Sequence, residues 1–356
     1  MSSHYMHWAK LRSQARFNLA SSGLMNYPLS KLPVRLEDLE LSGASYYGYE
    51  PLQRALAAKC HVPQECVVAA TGTSMANHLV MAATLKASDE VLIEHPTYEL
   101  LLNVAQYLGA EIKRFTRDPS NGFRVNTAEV ERLVSTRTRL IVLTNLHNPT
   151  SAFTDDDTLA RLQEIARGVG ARILVDEVYL DAMFEIAPRS AFHLGREFIT
   201  TNSLTKVYGL SGLRCGWILA EAELAEKLWR LNDLFGVIPA HPAERLSCMA
   251  LENFERIAEH ARLLLEANRG VLNSFFNSRD DLEWTEHRFG TVSFPRLKRG
   301  SADELCALLA EKYETSVVPG RFFEMPQHFR IGIGGESAMV AEGLRRLGLA
   351  LDELRS

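Results

Sequence analysis

From about residue 46 onward, short continuous apolar runs alternate with stretches whose apolar positions recur at helical spacing. Residues 67–70, 91–93, 140–143, 173–175 and 217–219 are apolar throughout, which predicts strands buried on both faces. Between them the pattern predicts helices over 51–59, 75–86 and 100–108, the first with Pro51 tolerated in its opening turn. A further helix is predicted from Thr154-Asp155-Asp156-Asp157, with the threonine as hydroxyl cap and the acids in the first turn, to Gly168 or Gly170. Buried strands alternating with amphipathic helices indicate an α/β domain with a largely parallel sheet covered on both faces. In such sheets, ligands bind at the carboxyl ends of the strands.

After about residue 235 the texture changes. A long helical stretch covers 243–276 with a break near Asn253, followed by predicted strands at 284–286, 291–294, 316–318 and 329–333 and helices at 302–312 and 338–347. This predicts a smaller α+β domain, giving a division into a large domain over 46–255 and a small domain built from 1–45 and 256–356. Residues 1–45 show no strong period. They read as an arm or part of a site lip, with Asn18-Leu19-Ala20-Ser21-Ser22-Gly23 as a turn of small residues.

With 356 residues, 46% hydrophobic and 23% charged, the composition is that of an ordinary globular protein long enough for two domains. A formal net charge of -5 offers no general attraction to nucleic acid or to an anionic membrane. The five cysteines form no CxxC pair and have no regular spacing, which argues against a disulfide framework or a zinc site. No run of eighteen apolar residues and no secretory leader pattern is visible, so a cytoplasmic protein without a metal site is expected.

The predicted strand ends carry the candidate chemistry. Lys206 follows a short β-like run, among Ser203, Thr205, Gly209 and Gly212, with Arg214 eight residues on. A lysine that forms an imine has to be held still, partly desolvated and beside an anion-binding group. Thr71-Gly72-Thr73-Ser74 precedes a helix, where small residues let backbone N–H groups approach an anion; a plain helix cap accounts for the same tetrapeptide. Asn148 stands before Pro149 and is thereby pushed out of the helical region. Asp176 ends an apolar strand, where burial demands a cation or a donor, and Tyr179 follows as either a site hydroxyl or a packing residue. One cofactor, pyridoxal 5′-phosphate, uses such groups together: a lysine imine, a carboxylate on the ring nitrogen, donors to the phenolic oxygen and a helix start for the phosphate.

These motifs resemble those of the class I/II aminotransferases among the fold-type I pyridoxal-phosphate enzymes. Ser203-Leu204-Thr205-Lys206 through Gly209, Gly212, Arg214 and Gly216 is similar to the family's lysine segment, Asn148-Pro149-Thr150 to its Asn-Pro-Thr-Gly, and Asp176-Glu177-Val178-Tyr179 to its Asp-Glu-x-Tyr. The resemblance implies a mostly parallel seven-stranded sheet flanked by helices, a homodimer and transamination between an amino acid and a 2-oxo acid. It implies that Lys206 forms the imine and moves the proton, that Asp176 pairs with the ring nitrogen, and that Asn148 and Tyr179 bond the phenolic oxygen. Gly72, Thr73, Ser74, Ser203, Thr205 and Arg214 would hold the phosphate, with Tyr98 stacked on the ring. Tyr46 or Tyr47 would reach the phosphate of a neighbouring subunit. Arg330, by itself an exposed strand residue, becomes the clamp for the substrate carboxylate, and Gly23 the backbone lip opposite.

Two positions depart from the pattern. His147 stands where asparagine or proline is frequent and Ser151 where glycine is usual. His147 reads as a structural histidine or as a substrate-side proton relay. A C–S lyase, decarboxylase or cyclase of the same fold would share every cofactor-binding residue, and a non-catalytic cofactor-binding sensor is a further alternative. Aspartate, aromatic, alanine-like and histidinol-phosphate-like donors all remain open. A nicotinamide dehydrogenase is excluded by the lack of a GxGxxG after an early strand.

Overall fold

The computed structural model describes residues 2–44 and 46–355; Ser45, beside the expected domain boundary, lies outside the described residues, as do both end residues. The chain opens with α1 (His4–Leu11) and β1 (Phe17–Asn18), then α2 (Glu50–Cys60), β2 (Val67–Thr71), α3 (Thr73–Thr84), β3 (Glu90–His95), α4 (Glu99–Tyr107) and β4 (Glu111–Thr116). It continues through α5 (Thr127–Leu133), β5 (Thr138–Thr144), α6 (Asp156–Val169), β6 (Arg172–Asp176), β7 (Phe198–Ser203), β8 (Cys215–Leu219) and α7 (Ala222–Asn232).

Seven of these strands form one sheet in the order β2-β8-β7-β6-β5-β3-β4. All pairs are parallel except the two made by β8, which runs antiparallel to both β2 and β7. The sheet is therefore mostly parallel, as expected. The reversal has a local cause: the loop after Ser203 returns at once, so that Ser203 pairs with Gly216. The lysine segment is thus tied down at both ends by neighbouring strands. The central strands are apolar and buried on both faces, Ile141, Val142, Ile173 and Leu174 among them being 0% exposed.

Edge strand β4 escaped the pattern because its sequence Glu-Ile-Lys-Arg-Phe-Thr alternates and is only partly buried. Helices α1, α5 and α7 were also not anticipated. The cap of α6 is Asp155 rather than Thr154: its carboxylate accepts from the Thr158 N–H at 2.8 Å, while the Thr154 hydroxyl accepts from Arg117. The acidic first turn and the left-handed Gly170 at the far end are as expected.

Beyond the sheet, α8 (His241–Glu252) and α9 (Phe254–Asn277) are separated at Asn253. The remaining elements are β9 (Leu282–Glu283), β10 (Val292–Ser293), β11 (Arg296–Leu297), α10 (Ala302–Lys312), β12 (Thr315–Ser316), β13 (Val318–Pro319), β14 (Phe329–Gly332) and α11 (Ser337–Arg355). The strand expected at 284–286 falls two residues earlier, where Leu282 pairs with Leu297. The one expected at 316–318 is divided, because Thr315–Ser316 pairs with Phe17–Asn18 while Val318–Pro319 pairs with β14. The amino-terminal segment therefore joins the carboxyl-terminal elements through the β1–β12 pair.

Candidate active site

A cavity of about 390 Å³ opens at the carboxyl ends of the parallel strands, lined among others by Thr73, Ser74, Tyr98, Asn148, Asp176, Tyr179, Ser203, Thr205, Lys206 and Arg214. The backbone explains the convergence. Thr73 and Ser74 begin α3 directly after β2, Asp176 ends β6, Ser203 ends β7, and Lys206 sits in the loop between β7 and β8. Gly72 has φ of +76°, and a side chain there would collide with the Arg214 guanidinium. A Cβ on Gly216 would stand 2.5 Å from the backbone of Gly72, so this glycine lets the lysine loop close on the start of α3.

Lys206 Nζ donates to the Ser22 hydroxyl at 3.0 Å. Burial lowers its pKa from the ordinary lysine value, with Arg330 adding to the effect and the Asp176 carboxylate opposing it. Asp176 is buried, and burial raises its carboxyl to about 6, against the pull of hydrogen bonds from Asn77 and the Val178 N–H. Burial likewise raises the Tyr179 phenol, opposed by Arg330 and Ser22. Asn148 Oδ1 accepts from Arg330 Nη1 at 2.9 Å, leaving the amide N–H₂ for the cavity.

Two buried hydroxyls at this end, Thr73 Oγ1 and Thr205 Oγ1, have no hydrogen-bond partner among the described residues. Buried polar groups are rarely left so. They flank the start of α3, whose first N–H groups are free of helical acceptors, and Arg214 reaches the same spot from the cavity mouth. A dianionic phosphate would satisfy all of these together. By this test the residues present fit pyridoxal 5′-phosphate: unsatisfied donors for the phosphate, a carboxylate for the ring nitrogen and an amine for the carbonyl carbon.

Other expected residues fall differently. Arg330 is 1% exposed, contrary to the plain reading of its strand; it is held behind the cavity by Asn148, Tyr5 and the Ala20 carbonyl. Gly23 packs against the Lys206 stem, and Ser21 and Ser22 line the cavity in its place. Tyr46 is 90% exposed and outside the cavity of its own chain. His147 is no relay from this position: its ring nitrogens lie 2.7 Å from the Thr150 hydroxyl and 2.9 Å from the Pro96 carbonyl, and burial, with Arg117 nearby, lowers its pKa well below the usual value.

Ser151 adopts φ of +69°, a region that favours glycine, and its hydroxyl donates to the Val292 carbonyl at 2.8 Å. Beneath Asn148, the buried Glu94 carboxylate meets Arg117 Nε at 2.7 Å and accepts from both the N–H and the hydroxyl of Thr144. Thr144 in turn accepts the Asn148 N–H. The positions missed from sequence are Tyr5, Ser22, Asn77 and this Glu94–Arg117 pair. Asn77 had a usable signal, a lone amide on a helix face otherwise built from Ala76, Leu79 and Val80.

The sequence profile described as "Aminotransferase class I and II" matches residues 40–347. The chain is 29% identical over 345 residues to a capreomycidine synthase of Streptomyces vinaceus, covering 93% of this chain and 88% of that protein. It is 26% identical to a probable aspartate/prephenate aminotransferase of Aquifex aeolicus, over 86% of this chain and 82% of that one. In three dimensions it resembles a PLP-dependent aminotransferase from Streptococcus suis with a TM-score of 0.93 at 25% identity, covering 98% of this chain and 97% of the other.

Proposed function

The chain belongs to the class I and II aminotransferase family, and on that premise we propose that it moves an amino group from an L-amino acid to a 2-oxo acid with pyridoxal 5′-phosphate. The observation that carries this reading is the meeting, in one cavity, of the desolvated Lys206 amine, the buried Asp176 carboxylate and the two unpartnered hydroxyls of Thr73 and Thr205. The cofactor, when bound, supplies a carbonyl that condenses with amines and a ring that draws electrons from the adjoining C–H bond.

The protein's own residues do the rest. Lys206 would be the residue that holds the cofactor's carbonyl carbon, and its Nζ, as a free amine, would take the proton from the substrate α-carbon. A lowered pKa keeps that amine available as a base. Proximity adds to the rate, because the base is released beside the proton it removes. Asp176 would stabilise a protonated ring nitrogen, Asn148 and Tyr179 would orient the phenolic oxygen, and Tyr98 would cover the ring. Thr73, Thr205, Ser203, Arg214 and the amides from Gly72 to Ser74 would hold the phosphate. Arg330, behind the Tyr5 and Asn148 side chains that line the cavity, would anchor the substrate carboxylate, with Gly23 supporting Lys206 from behind.

We place the large domain at 46–255 and the small domain at 1–45 and 256–356, a division supported by the β1–β12 pairing. A homodimer is proposed, with Tyr46 or Tyr47 reaching the partner's phosphate. Its support is the exposed apolar residues Leu36, Leu41, Tyr46 and Tyr47, together with Leu234, Phe235 and Val237 after α7; the Tyr47 ring lies 6.1 Å from that of Trp229 on α7. No helix among the described residues is long and apolar enough to cross a membrane. Five unpaired cysteines support a reducing, cytoplasmic setting.

The test is the absorption spectrum of the purified protein before and after L-amino acids are added without any 2-oxo acid. Loss of the visible band in favour of the shorter-wavelength amine form of the cofactor is expected. No visible band even with added cofactor would overturn the reading. A second reading, a cyclase, decarboxylase or elimination enzyme of the same fold, is kept because one relative is named a synthase rather than an aminotransferase. It predicts a visible band that persists while a cyclised product, or a 2-oxo acid and ammonia, accumulates.

A further inference from the structure

Helix α1 forms the outer wall of the cavity, with Tyr5, Met6, Trp8 and Ala9 facing the space that Lys206 and Asn148 face from the sheet. Its first turn is fastened to the start of α4. Glu99 accepts from the backbone N–H of His4 at 3.2 Å, from that of Tyr5 at 3.0 Å and from the Ser3 hydroxyl. A carboxylate on the free N–H groups of a helix start is favoured both by the hydrogen bonds and by the helix dipole. The Tyr5 ring is further wedged edge-on against Tyr98 at 5.8 Å and Phe322 at 5.7 Å. Its position is therefore set by α4 and Phe322 as well as by Tyr98.

The Tyr5 hydroxyl oxygen accepts from Arg330 Nη2 at 2.9 Å. Nη2 also donates to the Ala20 carbonyl at 3.2 Å, and Nη1 donates to Asn148 Oδ1 at 2.9 Å. Both Nη2 hydrogens are thus in use, whereas the buried Nε has no partner among the described residues. A carboxylate gripped by two donors needs a second one beside Nε, and the guanidinium edge no longer has it free. Tyr5 does: its oxygen only accepts, so its O–H proton has no acceptor among the described residues. Accepting from a guanidinium also polarises the phenol and strengthens it as a donor.

We propose that Tyr5 is a substrate-binding residue whose phenol donates to the α-carboxylate of the amino acid, sharing that carboxylate with Nε of Arg330. The proposal rests on the amino-acid reading of the site and names a specificity determinant within it. α1 then recognises the one group that every α-amino acid carries and a simple amine lacks.

The test is Tyr5→Phe in the cofactor-loaded full chain, which keeps the ring and its packing and removes only the hydroxyl. Dissociation constants of an L-amino acid and of the primary amine with the same side chain are read from the change in cofactor absorption. The variant is expected to bind the amino acid about tenfold or more weakly, the amine unchanged, with KM raised and kcat nearly constant. An equal loss for both ligands, or none for the amino acid, overturns the role of Tyr5 while the aminotransferase reading stands. A wild-type protein whose spectrum responds to no amino acid overturns both.

Discussion

Asn77 Nδ2 donates to Asp176 Oδ2 at 2.8 Å while Asn77 Oδ1 accepts from the Thr201 hydroxyl at 2.6 Å. The carboxylate proposed to face the cofactor ring is thus oriented by a helix side chain that is itself oriented by strand β7. Asn77→Ala leaves Asp176 with the Val178 N–H at 3.1 Å and removes a hydrogen bond to a buried carboxylate, at a cost of about 1–3 kcal/mol. Its carboxyl, already raised to about 6, moves higher still. The expected result is about tenfold weaker retention of pyridoxal phosphate in equilibrium dialysis; unchanged retention would count against this coupling.

Lys206→Ala should abolish the visible band and lower turnover with any amino donor by at least about three orders of magnitude, since attachment and proton transfer are both lost. Steady-state assays with a saturating 2-oxo acid check this. Turnover near the wild-type level would remove Lys206 from its role.

Thr73→Val and Thr205→Val separate binding from folding. Each removes a buried hydroxyl that has no partner among the described residues, so the cofactor-free chain should melt at the same temperature or higher. Cofactor affinity should nevertheless fall by about three- to tenfold, measured by fluorescence titration. A clear drop in the melting temperature of the cofactor-free chain would show a structural partner instead.

Glu177 is buried two residues before Tyr179, and burial raises its carboxyl to about 8 against hydrogen bonds from Ser190 and the Ala191 N–H. The folded state therefore holds a proton that the unfolded chain has released above its ordinary pKa of 4.5. Stability is consequently lost as pH rises from about 4.5 through 8, by on the order of 5 kcal/mol from this group. Glu177→Gln abolishes that contribution. Chemical denaturation at pH 6 and pH 9 should show a smaller loss on the alkaline side for the variant than for the wild type.

At Ser151 two effects oppose each other. Ser151→Ala keeps the unfavourable positive φ and loses the bond to the Val292 carbonyl, so it should destabilise by about 1–2 kcal/mol. Ser151→Gly relieves the backbone while losing the same bond, and should come out near zero. Denaturant midpoints that rank alanine above glycine would refute the assignment.

Much of the fold, and many of the residues that line the cavity, could be read along the chain, because each depends on local pattern. The apolar runs of β3, β5, β6 and β8 are buried on both faces, and the polar residues that follow them mark strand ends where a site can form. Lys206, Asp176, Asn148, Thr73 and Arg214 were legible for that reason. What the chain could not disclose depends on partners far away in sequence. Arg330 looks exposed on its strand until Tyr5, Ala20 and Asn148 close over it, from 325, 310 and 182 residues away. The edge strand β4 and helix α1 carry weak periods because each is only partly covered. Burial, hydrogen-bond partnership and pKa arise when separate segments remove the same groups from water, so tertiary structure alone decided which polar residues were satisfied and which were left facing the cavity.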